Sequence, residues 1–530
     1  MVRLAAGEHR RRADTRACAR LSSSLAGHRS WHAGGQHERG DRTVDERPDL
    51  RPRAALRPGP LRTGAIPVSG ASPDDRDLLH FDLIVLGGGS GGLAAAFRAV
   101  EHGQRVALVE PGALGGTCVN VGCVPKKAMW LAADLGTRLE QAARLGFDLP
   151  MDRRVGFDWA RFITDRQRYI HGIHHSYGER LDRAGIMVLP ARGRLAGPGR
   201  VDTDAGARLA APHIVLATGS SPVRPDVAGA SLGAVSDDFF GWNAAPPRLA
   251  IIGGGYIAIE LAGVLQALGS QVEMFVRDQR LLRQADAELV EQLQENYRQQ
   301  GIGLVFGYDL QALRRDDDGQ LQLEALDGSI RGGFDQVLFA TGRRPNTGDI
   351  GLDTVGITPD GAGNIPVDRW QATQAEGVYA VGDISGCGLA LTPVAIAAAR
   401  RLCDRLFGGR PDAKLDVDNV PSVVFSHPPL AMVGLTEAEA RERYGDDVHV
   451  YRSNFRPMRE ALAESTQRSV FKLVCVGAER RVVGLHLLGD SADEILQGFA
   501  VALKRGITLD DLHDTIAIHP TSAEEIVLMR

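Results

Sequence analysis

Phe81-Asp-Leu-Ile-Val-Leu-Gly-Gly-Gly-Ser-Gly-Gly92 is an apolar run of strand length that breaks into a cluster of glycines. Leu93-Ala-Ala-Ala-Phe-Arg98 continues with helix-favouring residues, and Arg105-Val-Ala-Leu-Val-Glu110 is a second apolar run. Together they predict a strand, glycine-rich turn, helix, strand unit. Gly87, Gly89 and Gly92 form G-x-G-x-x-G, with Ser90 and Gly91 between them. In such a turn the first glycine permits a tight bend, the second lets a pyrophosphate approach the backbone, and the third lets helix and strand pack closely. The N–H groups of the helix start then face the phosphates. Glu110, at the end of the next strand, can accept hydrogen bonds from both ribose hydroxyls, which suits a dinucleotide with an unphosphorylated adenosine.

The arrangement recurs from Gly253, 166 residues after Gly87. Leu249-Ala-Ile-Ile252 runs into Gly253-Gly-Gly-Tyr-Ile-Ala258, with a helix predicted over Ile259 to Leu268 and a strand over Gln271 to Val276. Gly253, Gly255 and Ala258 form G-x-G-x-x-A around Tyr256 and Ile257. Here the position matching Glu110 is Val276, so no carboxylate stands there to repel a 2′-phosphate, and Arg277 and Arg283 follow. Guanidinium forks suit phosphate, so this second unit is expected to bind NADPH. From about Val417 the texture changes to short alternating runs over Ser422 to Phe425, Phe471 to Cys475 and Val482 to Leu487. Helical stretches follow near Asp493 to Lys504 and Ser522 to Leu528. The expected fold class is α/β, with two doubly wound dinucleotide-binding (Rossmann-like) domains and a C-terminal α+β domain.

At roughly 100 to 200 residues per domain, 530 residues suffice for three or four domains. A composition 44% hydrophobic and 24% charged excludes a small disulfide-stapled or disordered protein. With 61 basic and 66 acidic residues the net charge is -5, which offers no overall positive field to nucleic acid or an anionic membrane. No apolar run approaches the ~20 residues that cross a bilayer. The bases are nonetheless uneven: residues 1 to 78 hold fifteen Arg, no Lys and ten acids, without helical or strand period. Such a stretch cannot bury enough apolar surface to fold. It is Arg- and Ser-rich like a transit peptide from Arg10 to Ala26, but Glu8, Asp14 and the acids from Asp41 weigh against that. A disordered or mis-assigned N-terminal extension is expected, whose removal leaves folding and activity intact.

Six cysteines are too few for a disulfide scaffold, so a close pair points to redox or metal chemistry in a reducing compartment, here the cytoplasm. Cys118-Val-Asn-Val-Gly-Cys123 is that pair, framed by Gly115-Gly-Thr117 and Val124-Pro-Lys-Lys127. Gly122 helps the chain bend, and Pro125 just inside a helix start places Cys123 near a helix N-terminus, where a thiolate is stabilised. A metal site needs two further ligands, and no second Cys pair supplies them, so a redox pair is the stronger reading. Cys387, Cys403 and Cys475 lack a motif and read as buried small hydrophobes.

Over residues 80 to 530 the chain resembles the pyridine nucleotide-disulfide oxidoreductase family, and within it the glutathione-reducing members. The segment Gly115 to Lys127 matches the family's redox motif, and Ala217-Thr-Gly219 and Ala340-Thr-Gly342 match its two domain-crossing turns. Val381-Gly-Asp383 matches a flavin-contacting segment, and His519-Pro-Thr-Ser-Ala-Glu-Glu525 the C-terminal signature. The resemblance implies an FAD-binding domain over 79–219 and 346–416, an NADPH-binding domain over 220–345 and a dimerisation domain over 417–530. Gly116, Thr117, Lys126, Thr218, Gly219, Asp383 and Thr392 join the first glycine turn and Glu110 around FAD, and Glu260 and Gly342 join the second around NADPH. Tyr256 resembles the residue that swings aside to admit nicotinamide, and Lys126 with Glu260 the pair beside the flavin N5. Cys123 resembles the thiolate that faces the flavin, and Cys118 the more exposed thiol that attacks the substrate. His519, oriented by Glu524, resembles the acid-base residue that reaches the disulfide of the other subunit of a homodimer.

The implied activity is NADPH-dependent reduction of glutathione disulfide. The C-terminal Ile526-Val-Leu-Met-Arg530 carries no extra Cys pair of the kind found in large thioredoxin reductases or mercuric reductases. Lipoamide dehydrogenases, an alternative, usually have Ser where Lys127 stands and an acid where Val276 stands. Arg400 matches the residue that pairs with a glutathione carboxylate, and Ser90, Tyr177, Met458 and Glu525 also fit the substrate pocket, Glu525 from the partner. Two positions depart: Phe97 stands where some members carry Arg, and Arg459, where some carry Tyr, is expected to restore positive charge. These leave a reductase of another low-molecular-weight disulfide, such as a modified glutathione, as a further alternative. A catalytically silent flavoprotein would lack one of Cys118, Cys123, Lys126, Glu260, His519 or Glu524, and all six are present.

Overall fold

Leu83–Leu86 forms the middle of a five-stranded parallel sheet, in the order Met187–Leu189, Val106–Val109, Leu83–Leu86, His213–Leu216, Val378–Ala380. The strand is buried throughout because both faces are covered. Leu83 and Val85 pack to one side with Leu93, Ala96 and Ala399, and Ile84 and Leu86 to the other with Leu195, Val201 and Leu209. The computed structural model describes residues 77–148 and 156–530. The N-terminal extension expected over 1 to 78 lies, except for its last two residues, outside them.

Four helices follow in chain order: α1 (Ser90–Glu101), α2 (Gly116–Asn120), α3 (Cys123–Ala142) and α4 (Trp159–Ala184). Pro125 sits in the first turn of α3, where a missing N–H breaks no helical bond. The 26-residue α4 starts at the Asp158 carboxylate, which accepts from the Arg161 amide at 3.0 Å, and stops at Gly185 in the left-handed region.

The second unit repeats the plan. Its parallel sheet runs Gly303–Phe306, Gln271–Val276, Arg248–Ile252, Gln336–Phe339, Ala234–Val235. The short α5 (Ser236–Phe239) is followed by α6 (Tyr256–Ala267) and α7 (Ala287–Gln299). Helix α6 begins three residues earlier than predicted, since the extended Gly255 serves as its N-cap and Tyr256 is already helical. Entry and exit of this unit lie side by side: Ser220–Pro222 pairs antiparallel with Arg343–Pro345. Thr218 donates to the Asn346 carbonyl at 2.7 Å, and the Asn346 side chain donates back to Thr218 at 3.0 Å.

The chain then returns to the first sheet through Val378–Ala380 and α8 (Thr392–Leu406). Helices α1 and α8 share a core of small residues, Ala95, Ala96, Ala99, Ala398, Ala399 and Cys403, which lets their axes approach closely. The C-terminal part is a five-stranded antiparallel sheet, Ser422–Val424, Leu430–Gly434, Arg481–Leu488, Ser469–Val476, Val448–Phe455. Helices α9 (Glu437–Tyr444), α10 (Met458–Leu462), α11 (Ala492–Leu503), α12 (Leu509–His513) and α13 (Glu524–Leu528) complete it. This is the expected α+β texture, with two strands the alternation did not reveal. Val448–Phe455 is a sheet edge with exposed and half-buried residues, and Leu430–Gly434 is hidden behind Pro428-Pro429. Cys403 and Cys475 are buried as expected. Cys387 is not: it lies half-buried between Gly386 and Gly388, its sulfur accepting from the Ser385 hydroxyl at 3.3 Å. No helix among the described residues is long and apolar enough to cross a membrane.

Candidate active site

The two glycine turns have the same build. Gly87, at φ +106, would place a Cβ 2.3 Å from the Ala217 carbonyl oxygen, and Gly253, at φ +137, would place one 2.3 Å from that of Ala340, so neither position admits a side chain. The second glycines face open space instead. A Cβ on Gly255 would meet nothing within 4 Å, and one on Gly89 only the Gly116 backbone at 3.8 Å. Neither helix start above them is capped by a side chain. Glycine surface and unclaimed N–H groups suit a pyrophosphate at each turn.

The turns differ at the next strand. Glu110 accepts from the amides of Gly88 at 2.6 Å and Gly112 at 2.7 Å, which fixes its carboxylate at the rim while each oxygen keeps a lone pair. In the second unit Val276 is buried against Gly254. Arg277 is exposed just beyond it. Arg283 already has an acidic neighbour, Asp278, 3.3 Å from its guanidinium.

Cys118 in α2 and Cys123 at the start of α3 are free thiols joined by a hydrogen bond. Gly122 allows this approach: its backbone lies outside the extended and helical regions, and a Cβ would sit 2.8 Å from the Thr117 carbonyl oxygen. The Cys118 thiol, donating to Cys123, brings the Cys123 thiol down to about 6 against the opposing effect of burial; the Thr392 hydroxyl, 3.6 Å away, and the Lys126 charge add to it. Cys118, held by that bond and by burial, is pushed the other way and keeps its proton. Cys123, the expected thiolate, is the more acidic of the two, and Cys118 lies half-buried among Cys123, Thr392 and Ser90.

Lys126, one turn into α3, lies 2.9 Å from the Glu260 carboxylate of α6, and Glu260 also accepts from the Phe425 amide at 2.9 Å. One residue on, Lys127 pairs with Asp493 at 3.0 Å. Asp383 accepts from the Ser220 hydroxyl at 2.7 Å. Sequence reasoning missed Arg343, which ties these parts together. It donates to the Ser220 hydroxyl at 2.9 Å, to the Ser220 carbonyl at 2.6 Å and to the Thr117 hydroxyl at 3.3 Å. Its position directly after Gly342 in a matched turn was the available signal.

His519 and Glu524 form their pair within the chain, Nδ1 to Oε2 at 2.9 Å, and that bond holds the Glu524 carboxyl below the usual carboxylate range. The imidazole is 79% exposed and makes no hydrogen bond with the thiols. Met458 is 66% exposed, and Glu525 accepts from the Ser453 hydroxyl of its own chain at 2.6 Å. Ser90 starts α1, Tyr177 lies on α4 and Arg400 on α8. Arg459 does not supply the free charge expected of it, since it pairs with Asp490 at 3.1 Å and approaches Glu460.

The sequence profile described as pyridine nucleotide-disulphide oxidoreductase matches residues 81–399, and that of the dimerisation domain of the same enzymes matches residues 420–530. Among curated proteins, one called glutathione reductase from Yarrowia lipolytica (strain CLIB 122 / E 150) is 41% identical over 466 residues, covering 85% of this chain and 99% of its own. Another of that name, from Schizosaccharomyces pombe (strain 972 / ATCC 24843), is 42% identical over 460 residues, 85% and 98% of the two chains. With both profiles and both relatives spanning the described fold, the chain belongs to the pyridine nucleotide-disulphide oxidoreductase family.

Proposed function

We propose that the protein is an NADPH-dependent glutathione-disulfide reductase, which converts NADPH, a proton and glutathione disulfide into NADP⁺ and two glutathione molecules. The observation that carries this reading is the Cys118–Cys123 pair with its two thiols set apart in acidity, next to the Lys126–Glu260 ion pair. The shared name of the two curated relatives gives the substrate.

FAD, held at Gly87–Gly92, Glu110 and Asp383, supplies the relay of an electron pair from NADPH to the disulfide. The chain's own residues do the rest. Gly253–Ala258 receives the NADPH pyrophosphate, and Arg277 with Arg283 its 2′-phosphate, Arg283 releasing part of its hold on Asp278. Lys126, fixed by Glu260, keeps a positive charge beside Cys123 and stabilises its thiolate. Cys118 retains its proton and therefore needs a base before it can attack a substrate sulfur. His519 of the partner subunit serves: Glu524 holds Nδ1, leaving Nε2 to take that proton and then deliver it to the departing glutathione thiolate. Its exposure in a single chain fits a residue that completes a neighbour's site across a two-fold axis.

We assign residues 79–219 and 346–416 to FAD, 220–345 to NADPH and 417–530 to the dimer interface, and place the enzyme in the cytoplasm, where a working dithiol stays reduced. Purified holoenzyme is expected to oxidise NADPH much faster than NADH with glutathione disulfide. Turnover with lipoamide but not with glutathione disulfide sinks the substrate assignment, and a fully active Cys118→Ser enzyme sinks the mechanism.

A further inference from the structure

Helices α1, α4 and α8, with the loop from Arg410 to Lys414, line an open cleft of about 980 Å³. Its walls are rich in cations, but several are occupied. Arg98 is held by Asp404 at 2.5 Å and Glu101 at 2.6 Å, Arg410 lies 3.9 Å from Asp404, and Arg401 donates to the Ala397 carbonyl. Among the described residues, three of the cleft's cations, Arg180, Arg400 and Lys414, show neither an ion pair nor a hydrogen bond. Arg400 is already read as a carboxylate contact. Arg180 belongs to no recognised motif.

The Arg180 guanidinium is nevertheless positioned. It lies 4.7 Å from the centre of the Phe97 ring and 6.0 Å from that of Tyr177, one turn earlier on α4. Stacking of this kind, worth about 0.5–1 kcal/mol at an exposed site, holds the planar fork without using its donors. The N–H groups stay available while the side chain loses freedom, so less ordering is needed when an anion arrives.

The spacing along α1 says which anion. Ser90, Ala94 and Phe97 are four and three residues apart and share a face. Ser90 reaches the Cys118 sulfur, and Phe97 carries Arg180. Seven residues of helix rise about 10 Å, and the γ-glutamyl arm of glutathione, with eight bonds from the cysteine sulfur to the terminal carboxyl carbon, spans about 10 Å when extended. A glutathione whose sulfur is at Cys118 can therefore bring its γ-glutamyl carboxylate near Arg180.

We infer that Arg180, laid on Phe97, is a specificity-determining residue that receives a terminal carboxylate of the disulfide substrate. This rests on the glutathione reading above and explains how a cleft with Phe97, where other members carry Arg, recovers a cation: the charge comes from the facing helix.

Steady-state kinetics of the FAD-loaded enzyme test it, with wild type, Arg180→Gln and Arg180→Lys compared on glutathione disulfide and on its fully esterified form. Arg180→Gln is expected to raise KM for glutathione disulfide about tenfold with little change in kcat, and to leave KM for NADPH where it was. Lysine should recover only part, having charge without the fork. The wild-type preference for the acid over the ester should fall by the same factor in Arg180→Gln. An active wild type with an unchanged KM in Arg180→Gln, or an unchanged acid-to-ester preference, overturns the inference alone. A wild type inert toward glutathione disulfide removes the underlying reading and this inference with it.

Discussion

The Lys126 ammonium is 2.9 Å from the Glu260 carboxylate and 3.8 Å above the Phe425 ring, so one cation joins helix α3, helix α6 and the start of the C-terminal sheet. Both side chains are nearly buried, at 12% and 6% exposure. Removing one member of such a pair strands the other charge. Glu260→Ala is expected to lose about 3 kcal/mol in denaturant unfolding. Glu260→Gln, which can still accept from the Phe425 amide, should lose less stability while slowing NADPH-driven reduction of the Cys118–Cys123 disulfide.

The acidity of Cys123 sets a pH window. Its thiol is brought from 9.0 to about 6 chiefly by the Cys118 hydrogen bond. Thiolate is therefore present above pH 6 and is lost as the pH falls through that value. Ultraviolet thiolate absorbance of the reduced protein should titrate with a midpoint near 6. In Cys118→Ala the midpoint should move up toward 9.0, and in Lys126→Met it should move in the same direction by less. An unmoved midpoint in Cys118→Ala would place the cause elsewhere.

Complementation tests the shared site. Cys118→Ala and His519→Gln homodimers should each be nearly inactive, general acid-base catalysis being worth roughly 10²- to 10⁴-fold. A mixture unfolded and refolded together should regain about a quarter of wild-type activity, because half the dimers then contain one site with both residues intact. If His519 served its own chain's thiols, the mixture would stay inactive.

A buried charge cluster ties α7 to the C-terminal sheet. The Lys472 ammonium lies 3.0 Å from Asp286, 3.1 Å from Glu288 and 2.7 Å from Glu437, with only 3% of its side chain exposed. Burial lowers the Lys472 pKa, but its hydrogen bonds to Glu437 and Asp286 outweigh that and leave it raised. Glu437, pushed up by burial, is brought down overall by Lys472 and Arg441. The raised lysine contributes stability that is lost as pH rises through its folded value, and the lowered carboxylate contributes stability that is lost as pH falls through its own. Lys472→Met should therefore cost about 3 kcal/mol at neutral pH, with a smaller deficit at both extremes. Urea unfolding across pH measures it.

The parts of the fold set by local pattern were legible in the sequence. The two glycine turns, the strands before them and the α3 start at Cys123 follow from apolar runs, glycine spacing and Pro125. Side-chain direction was harder to read. Arg459 gave no sign that Asp490, 31 residues away, would claim it. Asp278 was visible as a residue, but its reach back to Arg283 depends on the turn between them. Arg343 was hidden for the same reason, since its partners Thr117 and Ser220 are 226 and 123 positions distant. Residues whose roles come from local backbone are read from the chain, and those whose roles come from long-range partners are not.

The antiparallel contact of Ser220–Pro222 with Arg343–Pro345 has a consequence for how such a molecule can arise and be rebuilt. The whole second nucleotide unit leaves and re-enters its host through two adjacent strands, like a bag closed by a drawstring. Since loop-closure cost grows only slowly with length, about 0.6 kcal/mol per doubling, a guest of this size costs the host only about 3 kcal/mol more than a short hairpin, which its own folded core can offset. The guest is transplantable at that neck, and chimeras cut between those strands should inherit their nucleotide preference from the donor while keeping the host's disulfide chemistry.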